Sequence, residues 1–403
     1  MKIKSIINEK ILNPTFIDNI GEFTINPYKG CSFGCLYCYV IMMKNVKDKD
    51  DWGNYVICKD YIDKFLEKNI ESNFLINSYE KIKKYNEDKK RIIIGSTCDP
   101  YQPIEIYKNS TRKIIEVLLK YNLPFFLMTK SPLFIRDLNL FFYNSLNRIC
   151  FTINDEFVLR NFEKSYSFFD RVISYFITLL NNIDIYIHFG PFFPLFSDIN
   201  SYISKILFYF NFLYIFFKNI FNETFNKNIS SFNFKNLNEF LFYDLQLFEK
   251  NNNLKNNIEK LKGDHFNYDD IYKKIRNNLI FLKQNRMDLN LIHENLSKVN
   301  FNDILKKIKI NIEIINFEQI YGKNLNKIMK KLSLIDSLKY EKFLNIFNDQ
   351  NVYNNFIDNL SESIIELNEK YNFKIRLIRR DFKKYYSEDK FLNIWYLFSI
   401  FWF

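Results

Sequence analysis

The stretch Asn26-Pro27-Tyr28-Lys29-Gly30-Cys31-Ser32-Phe33-Gly34-Cys35-Leu36-Tyr37-Cys38-Tyr39 carries three of the chain's six cysteines at CxxxCxxC spacing. It follows directly on a strand candidate, Gly21–Pro27. Cys thiolates are the usual ligands of iron–sulfur clusters. Three on one short loop can hold three irons of a [4Fe–4S] cluster and leave the fourth open to a chelating ligand. The competing readings are zinc and three buried thiols. A structural zinc site takes four ligands, and no nearby Cys or His completes one. The three histidines, His188, His265 and His293, are all remote in sequence.

Outward from the loop, short apolar runs recur at Arg91–Ser96, Pro124–Thr129, Arg148–Ile153, Asp184–Phe189 and Glu239–Phe248. Amphipathic stretches separate them, at Tyr61–Lys84, Thr111–Tyr121, Arg136–Ser145, Phe168–Leu180 and Tyr202–Phe221. Strands alternating with helices imply βα units around a parallel sheet. Six units predict an α/β fold: a partial (β/α)6 barrel of TIM type, with its chemistry at the C-terminal ends of the strands. Beyond about residue 250, Asn- and Lys-rich helical periodicity takes over, with one late strand candidate at Phe373–Ile378. The expected organisation is a barrel over 1–250, with an insertion at about 200–238, and a mainly helical region over 251–403.

Composition adds less than it first suggests. The chain has 403 residues, 45 Phe, 27 Tyr and no alanine, the pattern of codon-level drift in an AT-rich genome. The same drift supplies lysine, so the net charge of +11 is a modest pointer to nucleic acid or another polyanion. Met1-Lys2-Ile3-Lys4-Ser5 lacks the continuous apolar stretch of a signal peptide, and six cysteines are too few for a disulfide scaffold; a cytoplasmic location is expected. Two apolar stretches, Ile206–Phe217 and Phe391–Phe403, fall short of the roughly 18–20 residues a spanning helix needs. No transmembrane span is expected.

The cysteine spacing, with Tyr37 before the last cysteine, resembles the radical S-adenosylmethionine (radical SAM) superfamily. The longer string NPYKGC…C.YCY resembles its spore photoproduct lyase-like branch, often labelled DNA repair photolyase. Gly95-Ser96-Thr97-Cys98-Asp99-Pro100-Tyr101-Gln102-Pro103-Ile104-Glu105 is similar to that branch's TDPYQPIE signature, and Thr111-Arg112 follows on the next helix. Thr129-Lys130-Ser131, Arg136-Asp137-Leu138, Glu163, Arg171, Pro191, Pro194 and Asp198 continue the resemblance in order over roughly residues 20–200.

The resemblance implies a [4Fe–4S] cluster on Cys31, Cys35 and Cys38, with S-adenosyl-L-methionine on the open iron. One electron, from a donor such as flavodoxin or ferredoxin, would cleave it to a 5′-deoxyadenosyl radical that abstracts a substrate hydrogen. Tyr37, Ser96, Thr97, Lys130, Thr152, Glu163 and Arg171 would bind the cofactor, although Glu163 and Arg171 could instead brace one another. Cys98 and Tyr39 are the candidate catalytic pair, as hydrogen donor or radical relay, against a reading of Cys98 as a small buried hydrophobe.

Two positions depart from the pattern. The lyases' cysteine donor would align with Ser96, and Phe33 stands where many relatives carry histidine. Cys58 and Cys150 are isolated and residues 250–403 hold no cysteine, so no auxiliary cluster is expected. His188, near the end of a strand candidate, faces either the site or the core. The substrate implied by the branch is a nucleic-acid component. The alternatives are a peptide or small molecule, or a non-catalytic iron–sulfur electron carrier or sensor.

Overall fold

The computed structural model describes residues 1–17, 20–43, 46, 49–74, 79–225, 298–316 and 320–378. Its strands are β1 (Lys2–Ile7), β2 (Asn13–Ile17), β3 (Gly21–Ile25), β4 (Tyr28–Lys29), β5 (Tyr55–Asp60), β6 (Ile92–Ile94), β7 (Phe125–Thr129), β8 (Arg148–Thr152), β9 (Asp184–Phe192), β10 (Lys309–Ile314) and β11 (Lys374–Ile378). Eight of them form one sheet in the order β11-β10-β9-β8-β7-β6-β3-β2. Every neighbouring pair is parallel except β2–β3. The α/β expectation holds. Among the described residues the sheet has β2 and β11 at its edges and does not close into a barrel.

Both faces of the sheet are buried, as a parallel sheet requires. Alternation along the strands sends Ile94, Leu127, Phe151 and Ile187 toward the helices, all fully buried in the main core. Ile93, Phe126, Cys150 and Tyr186 take the opposite face and form a second layer beneath Tyr39 and Met128. Each such large apolar side chain contributes about 1.5–3 kcal/mol on burial.

The helices are α1 (Ile62–Phe74), α2 (Tyr79–Glu87), α3 (Glu105–Lys108), α4 (Ser110–Lys120), α5 (Glu156–Phe162), α6 (Phe168–Leu180), α7 (Ile199–Phe225), α8 (Phe301–Leu305), α9 (Gly322–Ile335), α10 (Ser337–Asn348) and α11 (Gln350–Tyr371). Ser167 and Asp170 form a capping box that starts α6. Apolar Ile206–Phe217 lies within α7, where Ile206, Phe210 and Leu213 are buried in the core. No described helix is long and apolar enough to cross a membrane.

Several expectations need correcting. Arg136–Ser145 is not an α-helix: the chain forms 3₁₀ turns over Pro132–Tyr143, started by Pro132 and by the Ser131 side chain accepting the Leu133 N–H. By contrast, the amphipathic stretch Tyr202–Phe221 lies within helix Ile199–Phe225, as its periodicity predicts. Lys309–Ile314, in the stretch read as helical, is a sheet strand whose Ile310 and Ile312 are fully buried. Its Ile-Asn-Ile-Glu-Ile alternation is a period of two, obscured by the helical pattern around it. Strand candidate Glu239–Phe248, His265, His293 and Phe391–Phe403 lie outside the described residues.

A second, three-stranded sheet of order β1-β5-β4 flanks the first. Its antiparallel pairing of Tyr28 with Cys58 and Lys29 with Ile57 anchors the start of the cysteine loop.

Candidate functional site

The cysteine loop leaves β4 and is pinned from three sides. The fully buried Gln102 accepts the Ser32 N–H at 2.9 Å and donates to the Gly30 carbonyl at 3.3 Å. Leu36 N–H reaches the Phe162 carbonyl at 3.0 Å, and Lys164 N–H the Phe33 carbonyl at 3.0 Å. Gly34 and Gly53, both at positive φ, meet backbone to backbone: a Cβ on Gly53 would lie 2.7 Å from the Gly34 Cα. Phe33 is buried edge-on to Tyr166, an apolar contact.

The loop opens on a cavity of about 220 Å³ at the C-terminal ends of the parallel strands. Cys31, Cys35 and Cys38 line it from one side. Ser96, Thr97 and Cys98 follow β6; Lys130 follows β7; Thr152 ends β8; His188 belongs to β9 and Glu313 to β10. The sequence candidates Tyr37 and Tyr39 also line it. Glu163 and Arg171 do not. Their fully buried side chains form an ion pair at 2.6 Å, and Arg171 also donates to the Thr152 carbonyl at 3.0 Å.

A polar network joins these groups. Lys130 Nζ lies 3.2 Å from Cys35 Sγ, 3.0 Å from the Tyr37 hydroxyl and 3.4 Å from Glu163 Oε1. The Tyr37 hydroxyl donates to Glu163, and Asn154 donates to both, at 2.9 and 2.7 Å. Asn26 accepts the Thr97 N–H at 2.7 Å and donates to Ser96 Oγ at 3.1 Å. The Tyr39 hydroxyl donates to the Ser96 carbonyl. Buried Asp99 accepts from Thr129 Oγ1 and the Lys130 N–H, each at 2.8 Å, and so ties the β6 loop to the end of β7.

The signature that follows β6 is largely scaffolding. Glu105 accepts the Thr111 N–H at 3.0 Å, the Arg136 guanidinium at 3.0 Å and the Tyr28 hydroxyl. Asp137 takes Arg136 at 2.7 Å, Arg112 at 2.8 Å and the Tyr101 hydroxyl at 2.9 Å.

Sequence reasoning missed Asn26, Asp99 and Asn154 as organisers, and Trp52 and Glu313 as cavity residues. Glu313 Oε2 lies 3.3 Å from His188 Nε2. A Cβ on Gly190 would come within 2.7 Å of that same nitrogen, so only glycine leaves room for the pair. The signal for Glu313 was the short alternating run of β10. For Asn154 there was none, because its partners, Tyr37, Glu163 and Gly190, come from three separate segments.

Burial pushes all three loop thiols up, Cys38 to about 12, and Lys130 only partly offsets this at Cys35. Three thiolates here need bound cations to be stable. Two buried donors at the loop, Ser32 Oγ and Trp52 Nε1, have no partner among the described residues. Sulfur ligands with unmet donors around them fit an iron–sulfur cluster. Among the described residues no three His, Cys, Asp or Glu side chains converge on one metal ion; a cubane instead takes one thiolate per iron.

Fold and site together define an α/β chain that gathers three loop thiols at the C-terminal edge of a parallel sheet. No protein-family model matches it. It is 29% identical over 225 residues to an uncharacterized protein of Methanocaldococcus jannaschii, covering 55% of this chain and 78% of that one. Two solved spore photoproduct lyase chains are similar in structure. A mutant with bound AdoMet and dinucleoside spore photoproduct is 19% identical, with a TM-score of 0.37 over 47% of this chain and 51% of that one. A complex with dinucleoside spore photoproduct is 18% identical, with a TM-score of 0.38 over 53% and 56%. The chain thus spans about half the length of those lyase chains.

Proposed function

We propose that the chain is a radical SAM enzyme. The observation that carries this reading is the opening of three free thiols from one loop, those of Cys31 and Cys35 buried, onto a cavity at the strand ends. Cys31, Cys35 and Cys38 would hold a [4Fe–4S] cluster, and S-adenosyl-L-methionine would lie in the same cavity. Bound there, the pair supplies one-electron cleavage to a hydrogen-abstracting adenosyl radical.

The chain's own groups divide the remaining work. Lys130 offsets negative charge at Cys35, and the Glu163–Arg171 pair holds Lys130 and Tyr37 in place. Ser96, Thr97 and Thr152 offer hydroxyls for the cofactor. Cys98, pushed by burial to about 12, keeps its S–H at neutral pH and is the candidate hydrogen donor beside Tyr39. The His188–Glu313 pair forms the polar end of the cavity on β9 and β10, and we assign it to the substrate. Free thiols at such a site suit a reducing, cytoplasmic setting. A flavodoxin- or ferredoxin-type protein would supply the electron.

Anaerobic reconstitution with iron, sulfide, dithionite and S-adenosylmethionine tests the reading. Wild-type protein forms 5′-deoxyadenosine and Cys35→Ala does not. Equal amounts from both overturn the enzymatic reading and leave a carrier or sensor. The sequence resemblance and the +11 charge favour a nucleic-acid component as substrate. Its binding then weakens steeply with salt; salt-independent binding of a peptide or small molecule overturns that choice.

A further inference from the structure

The two unpartnered donors at the cysteine loop are not equivalent to ordinary surface polarity. The indole of Trp52 is nine-tenths buried, lines the same cavity as the three cysteines and packs in the apolar cluster that contains Cys31 and Cys35. Its Nε1 finds no acceptor among the described residues, and neither does the hydroxyl of Ser32, the residue after Cys31. A buried donor left unpaired is costly, and native proteins rarely keep one. The edge-on contact of Trp52 with Tyr55, ring centres 6.1 Å apart, needs only an aromatic ring. Phenylalanine would make it without orphaning a donor. An indole N–H only donates, so the missing partner is an acceptor, and the acceptors a cluster brings to this loop are its sulfurs.

The backbone around Trp52 is also tied to the cysteine loop. Its neighbour Gly53 packs against Gly34, which lies between Cys31 and Cys35, closely enough that no side chain fits at either glycine. This packing holds the backbone next to Trp52 against the loop that carries the thiols.

We propose that Trp52 Nε1–H, together with Ser32 Oγ–H, donates to the sulfur atoms of a cluster held by Cys31, Cys35 and Cys38, and thereby raises its reduction potential. This rests on the cluster reading above. Reduction adds one negative charge to the cluster, so a donor aimed at a sulfur stabilises the reduced form more than the oxidised one. Lys130, 3.2 Å from Cys35 Sγ, acts in the same sense as a charge. Trp52 does so as a neutral dipole and is insensitive to pH.

The test uses full-length wild type, Trp52→Phe and Ser32→Ala, reconstituted anaerobically, with iron content measured first. In a potentiometric titration followed by EPR, the reduced-to-oxidised ratio of Trp52→Phe at fixed poise falls roughly tenfold, about 59 mV for a one-electron couple. Ser32→Ala shifts in the same direction. Protein labelled with ¹⁵N-indole shows a nitrogen coupling on the reduced cluster, which Trp52→Phe abolishes. Normal iron with unchanged potentials in both variants, or the absence of any ¹⁵N coupling, overturns the proposal and leaves the cluster reading standing. Wild type that takes up no iron overturns both. Should Trp52→Phe not fold, Ser32→Ala and the labelled wild type decide the matter.

Discussion

The Lys130 ammonium lies 3.2 Å from the Cys35 sulfur and so joins the end of β7 to the cysteine loop. Burial lowers its pKa, Cys35 and Glu163 raise it, and the net effect is upward, so the cation is retained. The resemblance assigns this residue to cofactor binding; in the folded chain its ammonium also meets Cys35, Tyr37 and Glu163. Replacing it with methionine removes the charge and keeps the bulk. Outer partners of metal ligands are worth roughly 10–100-fold in metal affinity, so Lys130→Met should lose iron about tenfold more readily to a competing chelator. Equal retention by wild type and variant would sink the assignment.

Glu163 gives a pH signature. Burial raises its pKa, Arg171 and then Lys130 lower it, and the net value lies far below the ordinary carboxylate range. A depressed folded-state pKa contributes stability above the unfolded value of about 4.3 that is lost as pH falls toward the folded one. Unfolding free energy should therefore decline below about pH 5. Glu163→Gln leaves the buried Arg171 charge unpaired, costs about 3 kcal/mol at neutral pH and flattens that decline. Urea melts across this range read both effects; parallel pH curves for the two proteins would refute the linkage.

Asp137 is the hub of the scaffold behind the site. It is fully buried and receives Arg136, Arg112 and the Tyr101 hydroxyl. Asp137→Asn takes away the buried carboxylate that Arg136 and Arg112 share, leaving them only Glu105 and Glu116, and should cost about 3 kcal/mol in chemical denaturation. A loss under about 1 kcal/mol would mean that the network is surface-like in strength.

Gly53→Ala probes how the loop is placed. The position has a φ of +95°, and the added methyl would sit 2.7 Å from the Gly34 Cα. Backbone strain alone is worth about 1–3 kcal/mol. The expected result is weakened iron binding with an unchanged far-UV circular dichroism spectrum. Wild-type iron content in this variant would show that the two glycines do not set the loop.

Glu313→Gln separates the two ends of the cavity. It should leave 5′-deoxyadenosine formation near the wild-type level while substrate turnover falls by roughly 10–100-fold, because a hydrogen-bonding carboxylate is replaced by an amide. A parallel loss of both activities would assign Glu313 to the cofactor instead.

Local features were legible before the fold. The CxxxCxxC loop, five strand positions from Gly21 to Phe189 and the late strand near Phe373 could all be read from spacing and periodicity. Glu163 and Arg171 were named as a pair that either binds the cofactor or braces itself, and their 2.6 Å contact joins the end of α5 to α6. The strand of Glu313 was hidden in a Lys- and Asn-rich stretch whose helical period dominates a longer window. Trp52 gave no signal, because its meaning depends on what packs against Gly53.

By itself the sequence determined the three-thiol loop and the α/β alternation, because ligand spacing and apolar periodicity are properties of short contiguous segments. Only the tertiary structure decided that β10 completes the cavity beside β9, that Lys130 serves Cys35, and that an indole N–H is left waiting at the cysteine loop. Those relationships join residues far apart in the chain. They are fixed by burial and hydrogen bonding summed over the whole fold, which no local pattern records.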